Sequence, residues 1–173
     1  MPPWRSREYN KKKQFAEGGR NMDHSYKTAA LKISKEQKEE LIRRAFEVLP
    51  DAYAPYSHFH VAAALLCRDG SVYTGCNVEN ASYPAGICAE RSAFSAAVSG
   101  RKRQFDAIAI VGGRDGKAED YCAPCGICRQ VMREFVRPDE FVILLAKSPS
   151  EYREYTLSQL LPESFGPENL ENA

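Results

Sequence analysis

Glu140-Phe141-Val142-Ile143-Leu144-Leu145-Ala146, then Lys147-Ser148-Pro149-Ser150-Glu151, then Tyr152-Arg153-Glu154-Tyr155, is the stretch whose pairing decides the architecture. The first segment reads as a buried strand and the last resumes extended character. Only about six residues connect them, and a parallel crossover needs about a dozen or more. The two strands are therefore expected to be antiparallel neighbours at one side of a sheet.

Reading backwards from there, 125–135 has helical character and 106–111 is a strongly apolar strand, expected to close at Gly112-Gly113. Residues 88–99, with Ala89, Ala93, Phe94, Ala96, Ala97 and Val98, read as a helix of small side chains that ends near Gly100. The apolar run 59–67, the turn Arg68-Asp69-Gly70-Ser71 and the strand 72–76 form a hairpin. Ser34 with Gln37 makes a capping box ahead of Leu41, Ile42, Ala45, Phe46 and Leu49 at helical spacing, a helix that should cover one sheet face before Pro50. Thr156 with Gln159 caps a short terminal helix carrying Leu157, Leu160 and Leu161. Helices alternating with five strands define an α/β chain.

A length of 173 residues suits one ordinary domain. The net charge of +1 hides an asymmetry: residues 1–21 hold six Lys/Arg against two Glu, and residues 22–173 hold 18 against 21. The leader 1–21 has no apolar periodicity and is expected to be a disordered basic extension, with the catalytic domain spanning 22–173. A mildly acidic body does not offer the clustered basic surface a polynucleotide needs, so a small substrate is favoured over nucleic acid. No apolar run approaches the ~20 residues of a membrane span, and Met1-Pro2-Pro3-Trp4-Arg5 lacks a secretory core, which points to the cytoplasm. In that reducing compartment six cysteines are thiols or metal ligands rather than a disulfide framework.

Cys125 and Cys128, three apart at a helix start, lie on one face within reach of a single ion. Together with Cys88-Ala89-Glu90 they resemble the signature of zinc nucleobase deaminases in its all-cysteine form. That resemblance implies one zinc ion per chain held by Cys88, Cys125 and Cys128, with a fourth position open to water and Glu90 as proton shuttle. Three thiolates leave the site with net charge −1, which two helix N-termini and hydrogen bonds from Arg91 and Arg129 to the sulfurs would offset. Cys122 completes a Cys-x-x-Cys-x-x-Cys run, but Met132 stands where an iron–sulfur run needs its fourth cysteine. Cys67, Cys76 and Cys122 read as small buried or incidental thiols. None of His24, His58 and His60 has motif spacing to the cysteines, which argues against a closed structural zinc site.

From about residue 34 to the end the chain resembles the cytidine deaminase family of the short, homotetrameric type. Carrying the likeness besides the metal segments are Tyr56-Ser57-His58-Phe59, Gly75-Cys76-Asn77-Val78-Glu79-Asn80, Leu160-Leu161-Pro162 and Ser164-Phe165-Gly166-Pro167. The family implies a three-layer α/β/α fold around a five-stranded mixed sheet whose last two strands are antiparallel. It also implies hydrolytic deamination of cytidine and deoxycytidine to uridine and deoxyuridine, with ammonia released. Asn77 and Glu79 match the pair that holds the ribose hydroxyls, Phe59 and Ala89 match pocket residues, and Phe165 matches an aromatic that a neighbouring subunit lays over the base. Gln130 matches a helix position with a structural part. Family members acting on polynucleotides insert a helix where this chain turns straight back after 140–146. Two departures stand out: His60 and Ala62 replace the usual proline and glycine of the first strand, and 114–121 is charged and long. Competing readings are a deaminase of a cytosine antibiotic such as blasticidin S, and a nucleic-acid-binding zinc module with the leader as its arm.

Overall fold

The computed structural model describes residues 33–170; the basic leader, the start of the domain at Met22 and His24 lie outside the described residues. Helix α1, Lys35–Val48, begins where the capping box puts it, with the Gln37 amide donating to Ser34 Oγ at 3.2 Å and the Ser34 amide to Gln37 Oε1 at 2.9 Å. Its stripe of Leu41, Ile42 and Ala45, continued by Leu49, is buried on one face of the sheet against Ala62, Ala64, Ala107, Ala109 and Leu144.

Strands β1 (Phe59–Cys67), β2 (Val72–Cys76), β3 (Phe105–Arg114), β4 (Val142–Ser148) and β5 (Glu151–Thr156) form one sheet in the order β2-β1-β3-β4-β5. Only β3 and β4 pair in parallel; β1 with β2, β1 with β3, and β4 with β5 are antiparallel. The other face is covered by α2 (Ala89–Ser99) and α3 (Gly126–Phe135), which bury Ala63, Leu65, Ile108 and Ile143 together with Phe94, Phe105 and Phe141. Both faces of the central strands are covered, which is why 59–67 and 106–111 read as unbroken apolar runs instead of alternating ones. The result is the expected three-layer α/β/α arrangement. A short α4, Leu157–Leu160, follows β5 directly, with Thr156 and Gln159 making the second capping box.

Two boundaries differ from expectation for physical reasons. Strand β3 does not stop at Gly112-Gly113: Gly112 pairs with Val61, Gly113 with His60 and Arg114 with Phe59. These glycines serve clearance. A Cβ on Gly112 would lie 2.7 Å from the His60 carbonyl oxygen, and one on Gly113 would strike the Lys117 carbonyl. The β4–β5 connection is also tighter than about six residues, because the ladder runs on to a Ser148–Glu151 pair in which Ser148 Oγ accepts the Glu151 amide at 3.0 Å.

The register brings three strand ends together. Phe59 at the start of β1 lies opposite Arg114 at the end of β3, and Cys76 at the end of β2 lies opposite Ala62. The N-termini of α2 and α3 meet, with the Cys88 and Cys125 sulfurs 3.9 Å apart.

Candidate active site and metal centre

Cys88 and Cys125 are the N-cap residues of α2 and α3, and neither spends its side chain on capping. Both thiols are thus free for another partner at the positive ends of two helix dipoles. Cys128, one turn into α3, is 1% exposed. The Cys88 and Cys125 sulfurs lie 3.9 Å apart, those of Cys125 and Cys128 3.5 Å apart, and all three fall within 4.8 Å of one another. Tetrahedral zinc–thiolate bonds of about 2.3 Å place sulfurs roughly 3.8 Å apart, so the spacing suits that ion. Among the described residues no histidine, carboxylate or further cysteine joins the group. Thiols this close cannot all ionise alone: a hydrogen bond from Cys128 holds the Cys88 thiol down to about 5, and that same bond, with burial, pushes Cys128 up. A divalent cation resolves the conflict by making all three thiolates favourable.

Glu90 follows in the first turn of α2, only 4% exposed, and burial pushes its carboxyl above the ordinary value. Arg91 Nη2 donates to Cys88 Sγ at 3.8 Å and to the Gly86 carbonyl at 3.3 Å, which puts a guanidinium against a sulfur as the sequence suggests. Arg129 makes a different set of contacts. Its Nε donates to the Pro124 carbonyl at 2.7 Å and Nη1 to the Leu160 carbonyl at 2.6 Å, so it braces the segment leading to Cys125. Gln130 Nε2 donates to the Phe165 carbonyl at 3.0 Å.

A cavity of about 680 Å³ opens beside these groups, and Phe59, Asn77, Glu79, Ala89 and Glu90 all line it. Nucleoside-sized ligands suit cavities of this class, ~300–1,000 Å³. Cross-strand bonds fix Asn77: Oδ1 accepts the Val61 amide at 2.8 Å and Nδ2 donates to the Phe59 carbonyl at 2.9 Å. The Glu79 carboxylate accepts from the Tyr56 amide at 2.9 Å, the Ser57 amide at 3.2 Å and the Ser57 hydroxyl. Those bonds, the hydroxyl first, hold its carboxyl below the usual range. Gly75 sets the distance between this wall and the metal helix, since a Cβ there would lie 2.6 Å from the Ala89 carbonyl oxygen.

Phe165 is not in this cavity; its side chain is 58% exposed. Other wall residues to which sequence reasoning assigned no role include Cys122 and Tyr83. Cys122, read as an incidental thiol, faces the cavity, and burial pushes it up to about 12. Tyr83, 80% exposed at the mouth, sits in a proline turn that carries no periodic signal. The charged stretch before Cys122 is anchored by Tyr121, whose ring lies 4.2 Å from the Arg153 guanidinium carbon and 5.5 Å from Lys147 Nζ. Cys67 is buried in the core, and Cys76 donates to the Asp51 carbonyl at 3.4 Å. All six cysteines are free thiols.

Three convergent thiols, a buried carboxylate beside them and a cavity able to take a nucleoside define a hydrolase built around one zinc ion. Comparison with known proteins narrows the class. Residues 35–145 match the family described as the cytidine and deoxycytidylate deaminase zinc-binding region. The chain is 42% identical to a cytidine deaminase of Sporosarcina psychrophila over 135 residues, covering 78% of this chain and 96% of that protein. It is 44% identical over 133 residues to a cytidine deaminase of Halalkalibacterium halodurans, covering 77% and 97%. A crystal structure of cytidine deaminase from Burkholderia pseudomallei superposes with a TM-score of 0.66 at 44% identity, covering 73% of this chain and 97% of that one. The chain belongs to the zinc-binding cytidine and deoxycytidylate deaminase family. It is a zinc-dependent enzyme, a hydrolase acting on cyclic amidines. No helix among the described residues is long and apolar enough to cross a membrane.

Proposed function

We propose that this enzyme adds water to cytidine and deoxycytidine, giving uridine or deoxyuridine and ammonia, as in pyrimidine salvage. The observation that carries the reading is the placement of Glu90, 4% exposed, on the wall of a cavity that Cys88 and Cys125 also line. Cys88, Cys125 and Cys128 hold the zinc, which when bound supplies Lewis acidity and lowers the pKa of a water toward neutrality. Glu90 moves the protons: it accepts one from the attacking water and delivers it to N3 of the pyrimidine, then takes the remaining proton of the hydroxyl added at C4 and gives it to the departing amine, so that ammonia leaves as the C4 carbonyl forms. Burial supports this role, because a carboxyl pushed upward can hold a proton as well as release it. The Arg91 guanidinium offsets charge on the Cys88 sulfur, and Arg129 braces the approach to Cys125.

Asn77 and Glu79 hold the sugar, with Asn77 fixed by β1 and Glu79 by the Tyr56–Ser57 turn, so both arrive pre-oriented. Phe59 and Ala89 form the wall beside the base, and Gln130 supports the backbone of Phe165. Phe165 covers the base of a neighbouring subunit in a homotetramer. This assembly explains why large apolar groups stay exposed in a single chain, with Phe59 42% and Tyr83 80% exposed on the cavity wall and Phe165 58% exposed outside it. A reducing, cytoplasmic setting fits a chain whose six cysteines are all free.

The test is ultraviolet assay of cytidine, deoxycytidine and blasticidin S with metal analysis of the same sample. Ammonia release from both nucleosides with about one zinc per chain is expected. Turnover of blasticidin S alone would overturn the substrate assignment.

A further inference from the structure

Helix α3 grips the C-terminal segment with more than the Gln130 bond, and its strongest hold comes from a residue that lies outside the cavity. Arg133 is 8% exposed, an unusual placement for a guanidinium, and one that is costly unless the charge is paired and hydrogen-bonded. Its Nε donates to Ser164 Oγ at 3.0 Å, and its Nη2 pairs with the Glu168 carboxylate. Between those partners lies Gly166, where a Cβ would collide with the guanidinium. Gly166 has φ −144°, extended backbone open to any residue, so the missing side chain is a matter of clearance. The strap is also tied to itself: the Gly166 amide donates to Asn169 Oδ1 at 2.7 Å and the Asn169 amide to the Gly166 carbonyl at 3.0 Å.

Arg133, four residues after Arg129 and three after Gln130 on the helix surface, joins them in reaching the C-terminal segment: Arg129 to Leu160, Gln130 to Phe165, and Arg133 to Ser164 and Glu168. Phe165 is held at its own carbonyl by Gln130 and flanked by a Ser164 hydroxyl bonded to Arg133 and a Gly166 amide bonded to Asn169, while the residue itself is 58% exposed. The contacts from α3 thus fix the segment around Phe165 and leave its ring exposed. We propose that Arg133 is a positioning residue for deamination, clamping 164–168 so that Phe165 enters the cavity of a neighbouring copy of this chain. The proposal rests on the reading of Phe165 as a base cover across an interface.

The test is a double-mutant cycle on the zinc-loaded assembled enzyme, reading kcat and KM for cytidine. Phe165→Ala should raise KM about tenfold, as expected for loss of a buried aromatic anchor. Arg133→Gln should raise KM toward that value with kcat changed by less than about twofold, and the double variant should be no worse than Phe165→Ala alone. Gly166→Ala, which keeps the charge but fills the clearance, should show the same rise and the same non-additivity, and it serves if Arg133→Gln does not fold. Additive losses in the double variants, or normal KM in both clamp variants beside an impaired Phe165→Ala, would overturn the clamp and leave the Phe165 reading standing. Normal kinetics for Phe165→Ala itself would remove that reading, and the clamp with it.

Discussion

The two ends of the cavity are built on opposite principles. At its inner wall Glu90 is 4% exposed and behind it Cys128 is 1% exposed, both on helix first turns packed against the sheet, and Glu90 and the three thiols all come from one chain. Toward solvent, the wall residues Phe59 and Tyr83 are 42% and 80% exposed, and Phe165, outside the cavity, is 58% exposed, large apolar groups that a lone chain leaves in water. On the proposed reading, chemistry is completed within a subunit and enclosure by assembly. The sharpest attack on that division is at the floor. Cys128→Ala should lose zinc and reduce activity to background, by more than about 10⁴-fold. It should also lower thermal stability, because the ion ties α2 to α3 and binds only the folded state. Metal analysis and a thermal melt check both, and a variant that keeps zinc would break the ligand assignment.

Next in size is Glu90→Gln. An amide of the same shape keeps the packing but cannot carry a proton, so kcat should fall by about 10²–10⁴ while zinc content stays unchanged. Turnover near normal would move proton transfer to another group. At the mouth the prediction concerns subunits. Mixtures of Glu90→Gln and Phe165→Ala chains, co-refolded in equal amounts, should regain normal KM in about a quarter of the sites, because some cavities then combine an intact Glu90 with a neighbour's intact Phe165. No recovery above the Phe165→Ala value would show that the ring serves its own chain.

The same division explains what could be read in the sequence. Caps are local: Ser34 with Gln37 and Thr156 with Gln159 announce their helices because both partners lie within one turn. The cysteine and glutamate positions were legible because each sits on a helix N-terminus at motif spacing. Gly112-Gly113 misled because a glycine that ends a strand and one that lets Lys117 pass overhead look alike until β1 is laid beside β3. Arg133 carried no signal, since a charged residue in an amphipathic helix reads as solvent-facing, and its partners Ser164 and Glu168 are more than thirty residues away. Arg129, adjacent to Cys128, suggested a sulfur contact, but the direction of its side chain sends the guanidinium to the Pro124 and Leu160 carbonyls.

The smallest expected effect concerns Glu79, which belongs to neither end and links them. Glu79 is half-buried, and bonds from the Ser57 hydroxyl, the Tyr56 amide and the Ser57 amide favour its ionised form and lower its pKa below the ordinary value. A depressed carboxyl contributes stability that is present above the ordinary value and lost as pH falls through the lower folded value. That window lies below the range in which three thiolates retain zinc, so between about pH 6 and 8 the Glu79 hold on the sugar should not titrate. Glu79→Gln keeps an acceptor for the turn but loses the charge, and should weaken uridine binding by about threefold to tenfold. It should do so equally at every pH in that range, leaving the shape of the kcat/KM profile unchanged. Uridine is the better probe than cytidine because its base gains no proton there. A Glu79→Gln effect that grew or vanished between pH 6 and 8 would place a titrating group at the sugar end, and the proton chemistry assigned to the floor alone would have to be shared with the mouth.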